Sequence, residues 1–359
     1  MKKNEPIASF SMIKVAVIIV TYNSSRFIDG CFTALAHMDR SGLDVEVVVV
    51  DNGFKDDALE KLKAYPWVTV IAAEKNLGFS GGNNLAMQRA MEAGADYVYL
   101  LNHDTEATPS FLVEAVKEAE GDPRIGAAQS LLLLHPDKEL INSTGNAIHF
   151  LGFGYCLEYR KPYAQWKAPA RKEIAYPSGA GVLFRTTVLR KVGVLDEQLF
   201  LYHEDLDLGW RIRLAGYDVV LAPRSVVYHK YEFSRSISKY YFMERNRYIV
   251  FMKNLRLWTL AVLAIPLFVS EIALLIASFR SGWWREKLKV YVYFFRLDSW
   301  KELARTRRQV QASRIVSDRE IMKLFQSTIN YQEVAGPFTR YVANPCMRVA
   351  WSVMRLCIF

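Results

Sequence analysis

Hydrophobic positions in the first hundred residues fall into short continuous blocks. Val15–Val20, Val45–Val50, Val68–Ala72 and Tyr97–Leu101 are rich in β-branched or aromatic residues. Runs of this length without alternation fit strands buried on both faces of a parallel sheet. Between them, Ser25–Met38, Asp57–Tyr65 and Gly82–Ala93 read as helices. Strand and helix alternating at this spacing predict a doubly wound α/β sheet. Such sheets bind ligands beyond the carboxyl ends of their strands.

The residues that follow each strand are small and polar. They are Thr21-Tyr22-Asn23, then Asp51-Asn52-Gly53, then Asn76 through Asn84, then Asn102-His103-Asp104. A single Asp or Asn in such a place is ordinarily a turn residue. Four in succession converge on one crevice.

Residues 121–177 are less regular and read as a strand, Ile125–Leu134, followed by an insertion. Order returns at Pro177-Ser178-Gly179-Ala180-Gly181. A helix opens at Glu204-Asp205, its apolar face marked by Leu206, Trp210 and Leu214, and Gly216 closes it. Two short strands, Val219–Ala222 and Val226–Tyr228, lead to His229. Tyr240–Asn254 reads as a helix with Arg245, Asn246 and Arg247 in its middle. A boundary near Asn254 then divides a domain of residues 1–254 from a helical region of residues 255–359.

Charge separates the same two parts. The chain has 359 residues and a formal charge of +9, and the stretch from Arg280 to the end alone carries +9. An anionic partner for the tail is expected. Cys31, Cys156, Cys346 and Cys357 form no CxxC pair, so neither a zinc nor a redox motif is present, and buried reduced thiols are expected. Met1–Ser11 is polar, and Val15–Val20 is too short for a signal core.

Taken in order, Thr21-Tyr22-Asn23, Asp51-Asn52, Asn76–Asn84, Asn102-His103-Asp104, Ser178–Gly181 and His203-Glu204-Asp205-Leu206-Asp207 resemble glycosyltransferase family 2, in its rhamnosyltransferase-like branch. The likeness covers roughly residues 14–254. It implies a GT-A fold, a nucleotide-diphosphate sugar donor, a divalent cation and inversion at the anomeric carbon. Two positions depart from the family pattern. Phe54 stands where a Ser is usual, and Asn102 where many relatives carry a first Asp, leaving Asp104 as the only carboxylate of that motif.

The resemblance assigns roles. The donor diphosphate needs its charge neutralised, and Mg²⁺ takes one or two carboxylates plus phosphate oxygens. Asp104 and His229 are the expected ligands, a mixed set that suits Mn²⁺ better than Mg²⁺. The acceptor hydroxyl needs a base, and the resemblance names Asp205, with Glu204 supporting it or binding acceptor. Helix-start carboxylates also serve as dipole partners, which accounts for any one of Glu204, Asp205 and Asp207 but not their clustering. Asp51 is expected to accept from the imide N–H of uracil or thymine, with Thr21, Tyr22 and Asn23 lining that pocket. Asn76, Gly78, Gly82, Asn83, Asn102 and His103 complete the donor side, with Asn83 opening the next helix. Ser178, Gly179 and Ala180 form the floor under the sugar, and Arg235 and Arg245 are candidates for the pyrophosphate.

Leu257–Phe279 is almost wholly apolar and just long enough to cross a bilayer, which needs about 20 residues. Pro266 and Glu271 interrupt it, so an interfacial hairpin breaking at Pro266 is the preferred reading over a span. Met347, Trp351 and Met354 share a helical face expected to enter the membrane, with Arg348 and Arg355 beside it. A homodimer contact is the alternative use of this region. No nucleic-acid partner is expected. The combined reading is an enzyme at the cytoplasmic face of a membrane. It moves a sugar, rhamnose first, from a dTDP- or UDP-linked donor to a lipid-linked glycan in cell-surface polysaccharide synthesis. Rival readings are a sugar-nucleotide-forming nucleotidyltransferase and an inactive glycan- or lipid-binding scaffold. The first should show a Gly-rich triphosphate loop, and residues 21–30 hold none; a processive synthase would carry a QxxRW motif, which is also missing.

Overall fold

The computed structural model describes residues 12–53, 56–167, 172–231, 237–329 and 336–358. The first part runs β1 (Ile13–Thr21), α1 (Ser25–Ala36), β2 (Leu43–Asp51), α2 (Ala58–Leu62), β3 (Val68–Ala72), α3 (Gly78–Glu92), β4 (Tyr97–Leu101), β5 (Thr105–Ala107) and α4 (Phe111–Glu120). Next come β6 (Ile125–Leu134), β7 (Ile141–Ser143), β8 (Asn146–His149), β9 (Gly154–Cys156), β10 (Lys172–Glu173), β11 (Gly181–Arg185), α5 (Thr186–Val192), α6 (Glu204–Leu214), β12 (Asp218–His229) and α7 (Lys239–Asn254). The tail adds α8 (Leu257–Arg280), α9 (Trp284–Phe295), α10 (Leu297–Ser313), α11 (Asp318–Met322), β13 (Phe325–Gln326) and α12 (Asn344–Ile358).

The main sheet has the order β10-β12-β6-β11-β4-β1-β2-β3, with β5 beside β12 and β7 beside β6. Strands β1 to β4 pair in parallel, as their unbroken apolar runs predict. β11 enters antiparallel between β4 and β6, so the sheet is mixed. The two strands expected at 219–222 and 226–228 are one strand, β12, whose register against β6 shifts between Ala222 and Val226. A bulge keeps the ladder while kinking the strand.

Two apolar cores sandwich the sheet. One packs Ile28, Phe32 and Leu35 of α1 and Phe111 and Leu112 of α4 against it. The other packs Met87 of α3, Leu189 of α5 and Ile212 of α6 against the opposite face. A third core crosses Asn254: Trp210 of α6 and Phe251 of α7 meet Leu303 of α10, Met322 of α11, Phe325 of β13 and Trp351 of α12.

Three expectations change. α8 is continuous through Pro266 rather than a hairpin. Proline removes one intrahelical hydrogen bond, and the 24-residue helix retains the rest of its ladder. Met347, Trp351 and Met354 face the protein, not outward, because Trp351 stacks on Phe150 with centroids 5.2 Å apart. Of the four free cysteines, Cys346 and Cys357 are exposed.

Candidate functional site

Strand register brings the predicted motifs to one edge. Thr21 lies beside Asp51, and Asp51 beside Ala72. The β4–β11 pairing sets Leu101 against Gly181, and the Asn102 amide donates to the Ala180 carbonyl at 3.2 Å. The β5–β12 pairing sets Thr105 against His229, which brings Asp104 to that histidine. A cavity of about 320 Å³ opens here. Asn102, Asp104, Ser178, Gly179, Ala180, His203, Glu204, Asp205 and His229 all line it. Part of the remaining wall comes from the irregular insertion, through Asn146, Tyr155 and Cys156. The sequence offered no purpose for that segment.

The carboxylates at the start of α6 divide by environment. Asp207 is buried and neutralised: its oxygens accept from Arg211 Nε at 2.8 Å and Lys253 Nζ at 2.9 Å. Those cations outweigh burial and hold its carboxyl below the usual range. Asp205 has no such cation. It accepts only backbone N–H groups, from Gly179 at 3.2 Å and Leu206 at 2.7 Å. Burial dominates and raises its pKa to about 6, with those N–H groups pulling the other way. Glu204 is also buried, and its Oε2 has no hydrogen-bond partner among the described residues. Burial and the adjacent Asp205 charge push its pKa well above the ordinary glutamate value. Burial thus disfavours the charged form of both adjacent carboxyls, Asp205 and Glu204, whereas the cations beside Asp207 favour its charge.

Across the cavity, Asp104 Oδ1 is buried and lacks a hydrogen-bond partner among the described residues. His229 Nε2 lies 3.3 Å from it. The other ring nitrogen, Nδ1, is 2.9 Å from Asn142 Oδ1, and an amide oxygen can only accept. With the proton on Nδ1, Nε2 would be free to bind an ion beside Asp104. A carboxylate oxygen and an imidazole nitrogen so placed could serve as two ligands of a cation. Burial raises the Asp104 pKa, but the neighbouring His229 and His103 side chains overcome it and leave it lowered. Among the described residues no three His, Cys, Asp or Glu side chains gather as a metal group. Asp104 and His229 would supply two ligands, the rest coming from elsewhere.

The other predicted residues lie along the adjoining strand edge, outside the cavity lining. Asp51 is buried, which raises its pKa against the opposing Gly53 N–H. Tyr22 is exposed, and Asn23 takes the left-handed φ of 50° that asparagine tolerates. His103 Nδ1 is 2.9 Å from the Val20 carbonyl. Asn76 Oδ1 accepts from the Gly78 N–H at 2.8 Å, and Asn52 joins the same turn by accepting from Leu77 N–H at 2.8 Å. This turn starts α3 at Gly78, so Asn83 lies in the second turn instead of opening the helix, and its amide donates to the Phe79 carbonyl. The glycines permit close approach within the protein. A Cβ at Gly78 would lie 2.5 Å from the Phe200 carbonyl oxygen, and one at Gly82 would lie 2.9 Å from Val20. Arg235 and Phe54 fall outside the described residues.

Sequence reasoning missed what holds the α6 start in place. Phe200, Tyr202 and His203 all have positive φ, between 63° and 69°. Non-glycine residues so placed are strained and persist only where neighbours hold them. Asn246 does so: its Nδ2 lies within 2.7–2.9 Å of the carbonyls of Leu199, Leu201 and Tyr202. Arg245 donates to the carbonyls of Gln198 at 2.7 Å and Leu199 at 3.0 Å. It is buried in that task. The available signal was a run of three polar residues in the middle of a helix, which an apolar contact would not need.

Comparison with known proteins agrees with this architecture. The chain is 27% identical over 232 residues to N-acetylglucosaminyl-diphospho-decaprenol L-rhamnosyltransferase of Mycobacterium tuberculosis, covering 59% of this chain and 75% of that one. Its fold is similar to GalNAc-T7 crystallised with UDP, GalNAc and Mn²⁺, at TM-score 0.55 and 17% identity over 67% of this chain and 48% of the other. It is also similar to residues 1–349 of Staphylococcus aureus TarS with UDP-GlcNAc, at TM-score 0.51 and 16% identity over 96% and 89%. These two likenesses are likenesses of the GT-A fold. The family model "Glycosyltransferase like family 2" matches residues 13–250, and the chain belongs to that glycosyltransferase family.

Proposed function

We propose that this glycosyltransferase moves a sugar, with inversion, from a nucleoside-diphosphate donor to a hydroxyl of a lipid-linked glycan, as a step in cell-surface polysaccharide synthesis at the cytoplasmic face of a membrane. The observation that carries the reading is Asp205: a carboxylate that, among the described residues, accepts only backbone N–H groups, on the wall of the cavity that also holds Asp104 and His229. The acceptor hydroxyl approaches Asp205, which takes its proton while the oxygen attacks the anomeric carbon from the face opposite the leaving nucleoside diphosphate. Base catalysis of this kind contributes about 10²–10⁴ in rate. Glu204, whose burial favours its neutral form, stands beside Asp205 to hydrogen-bond the incoming sugar or acceptor. Ser178, Gly179 and Ala180 support the donor sugar, and Thr21, Tyr22, Asn23 and Asp51 hold the base and ribose at the adjoining strand ends. Asn76, Gly78, Gly82, Asn83, Asn102 and His103 shape that side, and Arg235 remains the candidate for the pyrophosphate.

The residues fit a divalent cation. The orphaned Asp104 Oδ1 and the facing His229 Nε2 would hold Mn²⁺ or Mg²⁺, leaving its other positions to diphosphate oxygens. Bound there, the ion would neutralise charge on the leaving group. The GalNAc-T7 structure of this fold holds UDP and Mn²⁺. A dTDP-linked rhamnose donor is the first candidate, because a named relative is a rhamnosyltransferase with a diphospho-decaprenol acceptor, and UDP-hexoses are next.

The test is a donor screen. Thermal shift and donor hydrolysis are measured with dTDP- and UDP-sugars, with and without Mn²⁺ or Mg²⁺. Metal-dependent turnover of one donor is expected, abolished by excess EDTA. Full activity in EDTA would remove the cation from the reading, and no turnover of any donor would remove the transferase assignment.

A further inference from the structure

α8 is the one helix among the described residues that is long and apolar enough to cross a membrane. Its outward side carries Trp258, Ile265, Phe268, Ile272, Ile276 and Phe279, all exposed. Steps of three, four and seven residues keep them on one face. The stripe runs most of a helix about 36 Å long at 1.5 Å per residue. A contiguous apolar surface of this extent marks an interaction site.

The inward side shows why α8 does not cross. Glu271, its only acidic residue, sits past the midpoint and turns toward the protein. Lys287 Nζ of α9 donates to it at 2.8 Å, and the hydroxyls of Tyr248 and Tyr291 donate to it as well. The same Lys287 donates to Glu244 of α7 at 2.6 Å, and Arg247 of α7 is 3.2 Å from Glu244. Lys287 and Arg247 are fully buried. α8 is therefore tied at Glu271 to α9 and to α7, the helix that holds the loop before α6 through Asn246. Threading α8 through a bilayer would tear Glu271 from these partners and place it in hydrocarbon.

Charge identifies the occupant of the outward face. Arg256 and Arg280 flank the stripe and are exposed. α12 joins it where Trp258 Nε1 donates to the Cys357 carbonyl at 3.3 Å. The outward side of α12 adds Val349, Val353 and Leu356 with Arg348, and α12 contains no acidic residue. A second copy docked here would set like charges face to face. An anionic phospholipid leaflet complements both the apolar stripe and its basic border.

We propose that the outward face of α8, continued by that of α12, is a docking surface for an anionic bilayer, with α8 lying in the plane of the leaflet. This deepens the lipid-linked acceptor reading by fixing how the protein meets the membrane. Because Arg247 also donates to the Leu151 carbonyl and His203 lies 3.3 Å from the Gly152 carbonyl, the clamp ties the docked face to the cavity wall.

The test uses the full chain with vesicles of phosphatidylcholine alone or mixed with phosphatidylglycerol. Sedimentation should show at least tenfold stronger binding to the anionic vesicles, reduced but not abolished by high salt. Phe268→Glu with Ile272→Glu should reduce that binding at least tenfold while circular dichroism and donor hydrolysis stay unchanged. Arg280→Glu, a milder variant, should reduce only the anionic preference. Depth is read from single cysteines at Ile265, Ile272 and Phe279, each bearing an environment-sensitive fluorophore in a chain with Cys346→Ser and Cys357→Ser. Equal shallow depth at all three is expected. A gradient from aqueous ends to a deep centre would show a span and overturn the proposal. So would equal binding to both vesicle types, or a dimer in gel filtration that the Phe268 and Ile272 variants dissolve. Intact vesicle binding by a chain that hydrolyses no donor would sink the functional reading and leave the docking surface standing.

Discussion

The cavity and the α6–α7–α9 interface use buried charge in opposite ways. At the interface every carboxylate has a cation: Asp207 has Arg211 and Lys253, Asp196 shares Lys253, and Glu244 has Arg247 and Lys287. In the cavity, among the described residues, Asp205 and Glu204 have no cation beside them, and Asp104 faces only the His229 imidazole. A compensated buried charge holds geometry, whereas an uncompensated one has a displaced pKa and reactive capacity. Two carboxylates separated by one residue on the same helix turn, Asp205 and Asp207, thus do different work.

The largest test of this contrast is Asp205→Asn. Transfer should fall by about two to four orders of magnitude while donor binding, followed by thermal shift, is retained. The sign of the stability effect is opposite. The folded pKa of Asp205, about 6, is above the ordinary carboxylate value, so its ionisation destabilises the fold at neutral pH. Asp205→Asn should therefore raise the melting temperature at pH 7, and the gain should vanish below about pH 4. Near-normal turnover in this variant would remove Asp205 as the base.

Lys253→Met probes the compensated side. It would leave Asp196 and Asp207 facing each other without their shared cation, and removing one partner of a buried pair costs about 3–5 kcal/mol. Urea denaturation measures the loss. A change within the noise would show that the interface charges do not hold the fold.

Asn246→Ala tests the support of the loop that connects the two regions. Removing the amide that serves the carbonyls of Leu199, Leu201 and Tyr202 should cost about 1–3 kcal/mol. Because the loop presents Asp205, kcat should fall more than donor affinity. Loss of donor affinity alone would place Asn246 elsewhere in the mechanism.

The smallest effect is the pH profile. With Asp205 as the base, kcat should rise through about pH 6 and level off above it. The Asp205→Asn variant should lose that limb, and a profile unchanged by the substitution would assign the titration to another group.

Much of the fold was legible because local pattern and tertiary environment agree. Val15–Val20 and Val45–Val50 are strands in any context, and their register makes Thr21 and Asp51 neighbours. Of the strand-end residues, Asn102 and Asp104 line the cavity with Ser178 and Asp205, while Thr21, Asp51 and Asn76 lie along the adjoining edge outside it. Legibility ended where a residue's role depends on a distant partner. Nothing local says that Asn246 holds carbonyls 44 to 47 positions away, or that Trp351 meets Phe150.

The sequence by itself determined the parallel strands, the chemistry gathered at their ends and the basic tail, because periodicity, turn chemistry and net charge are properties of neighbouring residues. Only the tertiary structure decided which carboxylate keeps a free charge and which is paired. It also decided which side of α8 faces out and what the Gly-rich turn approaches. Each of those depends on a group brought close by chain folding, and burial in its presence or absence sets the energy of a charge.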